Sequence, residues 1–171
     1  MPIFLANYRS TIIPLLGDVT SQADLQAMAD HVRQKVGYID LLVTNAGMSG
    51  PRLHGLNPRA SAADFVRSAR ASPMPDFTAV YNLNCTAVYY SILAFLTLLD
   101  AGNKRRKSGT PHPQVIATSS MVAFQRDPRY GFAYLSSKSA LISMMKSFAT
   151  LGVSWGIRFN SVAAGRKYFP S

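Results

Sequence analysis

Tyr134-Leu-Ser-Ser-Lys138 sets a phenol and an ammonium one helical turn apart, on a common face of any helix that carries them. Upstream, a strand-like run ends in Ser119-Ser120, and a hydroxyl at a strand end can reach the same point in space. An ammonium beside a phenol stabilises phenolate, so Tyr134 can give up or take back a proton at neutral pH. A serine hydroxyl can hydrogen-bond an oxygen on which negative charge develops. Together these groups can move a proton to or from a carbonyl oxygen, which points to an oxidoreductase. Tyr-x-x-x-Lys alone is a weak signal. A Tyr opening a helix usually covers apolar surface, and a helical Lys is usually solvated.

The elements that must position this trio alternate strand with helix. Thr11 to Leu16 reads as a short buried strand leaving through Gly17-Asp18, although Pro14 cannot donate to a ladder. Thr20-Ser21 can cap a helix from about Gln22 to Val36. Ile39 to Val43 reads as a second strand, followed by Thr44-Asn45-Ala46-Gly47. Residues 48–74 are rich in Gly and Pro and read as an irregular surface insertion with one short helix near Ala60 to Arg70. Helical spacing runs from about Pro75 to Leu99 and closes at Asp100-Ala-Gly-Asn103. Gln114 to Thr118, a helix from Tyr134 to Leu151, and Ile157 to Val162 complete the series. Such alternation predicts βαβ units and a parallel sheet.

The 171 residues suit one domain, with 48% hydrophobic and only 15% charged content. No run of about 18 consecutive apolar residues is present, so no membrane partner is expected. No basic segment precedes the apolar N-terminus, so a signal peptide is not expected either, and a cytoplasmic setting is the default. Cys85 is the single cysteine, among small apolar neighbours, which predicts a packed thiol and no Cys-based metal site. The net charge of +10 raises the question of nucleic acid. Only Lys104-Arg105-Arg106-Lys107 is a dense basic cluster, and no aromatic interleaving accompanies it. A solvated loop is the expectation there, with contact to a phosphate or an acidic partner as the alternative, and no nucleic-acid partner is expected.

The ordered set Gly17-Asp18-Val19, Asn45-Ala46-Gly47, Asn84, Ser119-Ser120, Tyr134-x-x-x-Lys138 and Ile157-Arg158-x-Asn160-Ser161-Val162-Ala163 resembles the short-chain dehydrogenase/reductase family. Fungal members near the 3-oxoacyl-carrier-protein reductases are the most similar in pattern. The resemblance implies a Rossmann-like, doubly wound parallel sheet, one domain over residues 1–171, with the first βαβ segment and the C-terminal end missing. It implies NADP(H), NAD remaining open, and a small-molecule ketone or alcohol as substrate, with fungal polyketide metabolism as a setting. Tyr134 would be the acid/base and Ser120 the oxygen binder, with Ser119 as the competitor. Lys138 would tune Tyr134 and hold the nicotinamide ribose, and Asn84 would link Lys138 to a proton-conducting water, with Asn82 as its competitor. Asp18, Val19 and the backbone of Asn45-Ala46-Gly47 would flank the adenosine. Helices 75–101 and 134–151 would form a homo-oligomer face. No Thr-Gly-x-x-x-Gly-x-Gly turn for the pyrophosphate precedes Asp18. In the strand order 3-2-1-4-5-6 its strands would stand between the first two strands found here, so a central gap is expected. A chain without catalysis, acting as an interaction partner or reflecting a wrongly delimited gene, is the alternative.

Overall fold

The computed structural model describes residues 12–53, 57 and 59–165. Helix α1 spans Gln22–Lys35 and starts where Ser21 Oγ accepts from the Asp24 amide at 3.2 Å. Asp24 in its first turn and Arg33 and Lys35 in its last complement the helix dipole. Strand β1 is Leu41–Thr44, and helix α2, Ala62–Arg70, opens with a reciprocal capping box between Ser61 and Asp64. Helix α3, Met74–Tyr81, runs through a π-helical turn at Asn82–Thr86 into α4, Ala87–Lys104. Strand β2 is Gln114–Ser120, and after two short 3₁₀ turns come helix α5, Phe132–Trp155, and strand β3, Arg158–Ala164.

The three strands are parallel in the order β1-β2-β3, with Leu41 opposite Gln114 and Gln114 opposite Arg158. Val115, Ala117 and Phe159 point to one face, where they pack against Val88, Ile92 and Leu99 of α4 and Leu141, Met145 and Phe148 of α5. Each of these side chains removed from water contributes about 1.5–3 kcal/mol, so this layer holds the sheet. Helix α1 packs on α4 rather than on the strands, through Leu25 and Ala29. The opposite sheet face carries Leu41, Val43 and Val162, each about half exposed. Parallel sheets are ordinarily covered on both faces. An incomplete Rossmann-like fold is therefore what these residues build.

Residues 12–16 are not a strand, contrary to the expectation, and Thr11 lies outside the described residues. Ile12, Ile13 and Leu16 are exposed. A buried strand exists only if its backbone groups find a ladder, and Pro14 has no N–H to offer one. The expected central gap does not arise either: among the described residues the three strands are contiguous, with β1 and β3 as the two edges. Helix α4 also runs past Leu99, through Asp100–Asn103. Lys104 pairs with Asp100 at 2.7 Å, and Gly102 lets the helix lie on the Ile39 carbonyl, which an added Cβ would approach to 2.3 Å. Met74–Lys104 is long and apolar enough to cross a membrane by length and composition. On it Val80, Val88, Ile92, Leu98 and Leu99 are buried in the core of this fold, while Tyr89, Tyr90 and Leu93 are exposed.

Helix α5 lies tight against β3 at Gly152, where a Cβ would stand 2.4 Å from the Ile157 carbonyl oxygen and 2.7 Å from the Phe159 ring. Gly152→Ala should therefore cost about 1–3 kcal/mol through overpacking, despite alanine's better helix propensity. Urea unfolding measures this. A variant within about 0.5 kcal/mol of the parent would show that α5 and β3 are not in such contact.

Candidate active site

At the carboxyl ends of the strands, Asn84 is completely buried within the π-helical turn. Its Oδ1 accepts from the Met48 amide at 2.9 Å, and its Nδ2 donates to the Met48 carbonyl and to Ser137 Oγ, each at 3.0 Å. Ser137 Oγ in turn donates to the Tyr134 carbonyl at 2.9 Å. One side chain thus ties the exit of β1 to the first turns of α5. Both Asn84 donors are spent inside the protein, which makes Asn84 a positioning residue in this geometry. Its competitor Asn82 is exposed.

Lys138 is 4% exposed, and its Nζ donates to the Thr118 carbonyl at 2.7 Å. The ammonium is thereby anchored two residues before Ser120 on the same strand. It lies 5.9 Å from the centre of the Tyr134 ring. Burial pushes the Lys138 pKa down, with neighbouring Cys85 acting weakly in the opposite direction. The Cys85 thiol is pushed up by burial, and its Sγ donates to the Ser137 carbonyl at 3.2 Å. That is the packed thiol expected from its neighbours. Gly47 closes the arrangement: a Cβ there would sit 3.0 Å from Asn84 Oδ1 and 3.3 Å from Lys138 Nζ. Glycine is what lets the β1 exit pass this close to the ammonium.

The two serines differ. Ser119 is buried and donates to the Lys138 carbonyl at 3.1 Å, so its hydroxyl is committed to packing. Ser120 Oγ makes only long contacts, donating to the Ala164 carbonyl at 3.4 Å and accepting from the Val122 amide at 3.3 Å. Its hydroxyl is held loosely enough to turn to a ligand. Gly131, at φ +86, delivers the chain into α5 just before Tyr134, and a Cβ there would stand 2.2 Å from the Pro51 carbonyl oxygen.

A cavity of about 270 Å³ opens beside the β1 exit, lined by Val19, Leu25, Met28, Asn45 and Ala46 among others. It is mostly apolar and sized for one ring system rather than a whole dinucleotide. Asn45 Oδ1 accepts from Thr118 Oγ1 at 2.9 Å, bracing β1 against β2, and the neighbouring Thr44 Oγ1 is buried without a partner. Asp18 stands at the rim but does not line the cavity. Its carboxylate accepts from the Thr20 amide and hydroxyl, both at 2.8 Å, and these bonds hold its pKa below the usual carboxylate range. The residues present fit the two nucleoside ends of a nicotinamide dinucleotide. The described residues include no glycine-rich turn for the pyrophosphate between them. Sequence reasoning missed Ser137 and the Thr118 carbonyl. A serine inside Tyr-x-x-x-Lys carries no distinguishing signal, and a backbone carbonyl carries none at all.

A family model described as short chain dehydrogenase matches residues 4–167. The short-chain dehydrogenase/reductase PhomF of Diaporthe leptostromiformis is 41% identical over 154 residues, which cover 90% of this chain and 52% of that protein. The chain spans about half the length of such curated relatives. Among solved structures, a Pseudomonas aeruginosa RhlG/NADP active-site complex aligns with a TM-score of 0.70 and 25% identity, over 91% of this chain and 53% of that one. An NAD+-bound xylitol dehydrogenase aligns with the same TM-score at 24% identity, over 88% of this chain and 49% of that one, a likeness of fold.

Asn84→Ala should strip partners from the Met48 amide and carbonyl and cost about 2–4 kcal/mol. Asn82→Ala should stay within about 0.5 kcal/mol, and equal losses in urea unfolding would remove the clamp from the account. A second measurement concerns pH. With the Lys138 pKa lowered on folding, the unfolded chain binds the extra proton between that value and about 10.4. This lysine's contribution to stability is thus present above about 10.4 and lost as pH falls through the folded value. Lys138→Met lacks it, so the variant's stability relative to the parent should decline as pH rises through that window. A flat difference would contradict a desolvated ammonium.

Proposed function

The chain belongs to the short-chain dehydrogenase family, and from that premise we propose that it interconverts a carbonyl and an alcohol with NADP(H). The substrate class we propose is a small or polyketide-like ketone, in the cytoplasm and in fungal secondary metabolism; the fungal origin of PhomF supports that setting. One observation carries the chemistry. A buried Lys138 ammonium is fixed to the Thr118 carbonyl near the Tyr134 ring, on a strand whose Ser120 hydroxyl is only weakly engaged.

In the reducing direction Ser120 donates a hydrogen bond to the substrate oxygen and sets its position. Tyr134 gives its proton to that oxygen as negative charge builds there. The Lys138 ammonium, with hydrogens left beyond the one on Thr118, stabilises the phenolate that remains. Asn84 keeps the β1 exit and the start of α5 in register beneath them. In oxidation the same groups act in reverse, with Tyr134 as base. When bound, a nicotinamide cofactor would supply or accept the hydride. Val19 with Asp18 at the rim, Asn45-Ala46-Gly47, Tyr134 and Lys138 are the residues that would hold the cofactor's two ends. NADP rather than NAD rests on the likeness to reductases. Tyr89, Tyr90 and Leu93 on the outer side of α4 supply the apolar surface for the homo-oligomer we propose.

Tyr134→Phe should lower kcat at least about 100-fold and Ser120→Ala by a similar factor, with NADPH affinity changed only a few-fold. Steady-state reduction of a panel of ketones, followed by NADPH absorbance, measures both. Wild-type turnover in the phenylalanine variant would overturn the role of Tyr134. The second reading, a chain without catalysis, draws on the missing glycine turn among the described residues. Titration with NADPH separates the two: saturable fluorescence transfer supports the enzyme, and its absence at high cofactor excess supports the alternative.

A further inference from the structure

The amino ends of the three strands carry a second site, at the opposite end of the sheet from Ser120, Tyr134 and Lys138. A cavity of about 450 Å³ lies there, lined by Tyr38 and Asp40 before β1, by Arg105 and Arg106 after α4, by His112 before β2, and by Arg158, the first residue of β3. Strands β2 and β3 separate the two ends by roughly 20 Å.

The three guanidiniums come from two segments, Arg105 and Arg106 just after α4 and Arg158 at the start of β3, and each is fixed by a neutral partner. Arg105 lies over the Tyr38 ring at 3.6 Å. An Arg106 terminal nitrogen (Nη1) donates to the Thr110 carbonyl at 2.7 Å, and an Arg158 terminal nitrogen (Nη2) donates to the His112 carbonyl at 3.2 Å. Among the described residues none of the three pairs with a carboxylate within 4.0 Å. Their charge is therefore held in place and left uncompensated, with Asp40 the one carboxylate on the cavity wall. The Arg106 Nε is buried and has no acceptor, a costly state for a charged donor unless something supplies one. His112 braces the wall: its Nδ1 lies 2.9 Å from the Gly156 carbonyl oxygen and so carries a proton. Lys104 is turned away onto Asp100 and does not line the cavity.

We infer that this cavity binds the phosphate groups of a small phosphorylated molecule, independently of the catalytic end. A single fork satisfies a planar carboxylate, whereas three guanidiniums from two segments lining one cavity match an oxyanion with several oxygens. The concave shape and the lack of further aromatic platforms favour a small ligand over a nucleic-acid strand.

Pyrophosphate is the probe, titrated at fixed ionic strength into the whole chain by calorimetry. The ¹H–¹⁵N resonances of the arginine Nε–H groups are followed in parallel. One-to-one saturable binding that shifts the Arg106 Nε–H resonance is expected. Arg106→Gln combined with Arg158→Gln should weaken it at least about tenfold, and Lys104→Gln with Lys107→Gln should leave it within about twofold. The inference is overturned by an absence of saturation in the parent chain, by an unmoved Arg106 resonance, or by equal losses in both double variants. Tight binding of a single-stranded oligonucleotide, lost with the two lysines, would also overturn it by showing a diffuse nucleic-acid surface. The parent-chain resonances decide the matter even if an arginine variant fails to fold.

Discussion

The site depends on one buried amide. Asn84 has no exposed surface, yet it satisfies both backbone groups of Met48 and a hydrogen-bonding position of Ser137. A polar group at that depth is tolerable only when its partners are complete, so the three segments it joins are held to one relative placement. The π-helical turn at Asn82–Thr86 puts the amide where the β1 exit can reach it. From that placement follows the closeness of Gly47 to Lys138.

Lys138 is the second constraint. An ammonium taken out of water is costly, and the Thr118 carbonyl only partly offsets the loss. The fold accepts that cost with the ammonium 5.9 Å from the centre of the Tyr134 ring. The remaining polar groups at this end divide into those spent on structure, such as Ser119, and those left weakly engaged, such as Ser120. At the other pole of the sheet Arg158 opens β3 beside Arg105 and Arg106 from the segment after α4.

Much of the fold was legible because its signals are local. Ser21 before an apolar-periodic run marks the start of α1 by short-range chemistry, whereas α5 runs past the expected end at Leu151 to Trp155, where Gly156 at φ +63 closes it. The strands at Leu41, Gln114 and Arg158 were legible as short apolar runs between turn residues. The run at 12–16 has the same composition and no strand. Composition records that a segment suits burial, whereas a strand needs a hydrogen-bonded neighbour, which is a property of the whole arrangement. The extension of α4 to Lys104 was hidden for a related reason, since Gly102 signals a helix end until the Ile39 carbonyl is seen against it.

By itself the sequence determined the order along the chain of the candidate groups Ser120, Tyr134 and Lys138, and the helical spacing that brings Tyr134 and Lys138 to one face. These follow from residue type and backbone periodicity, which are written locally. Only the tertiary structure decided which serine hydroxyl remains available, that Asn84 rather than Asn82 is enclosed, and that Asp18 spends its carboxylate on its own turn. Those outcomes depend on which partners lie within about 3 Å across segments distant in sequence, and hydrogen bonds of that range are fixed by packing alone.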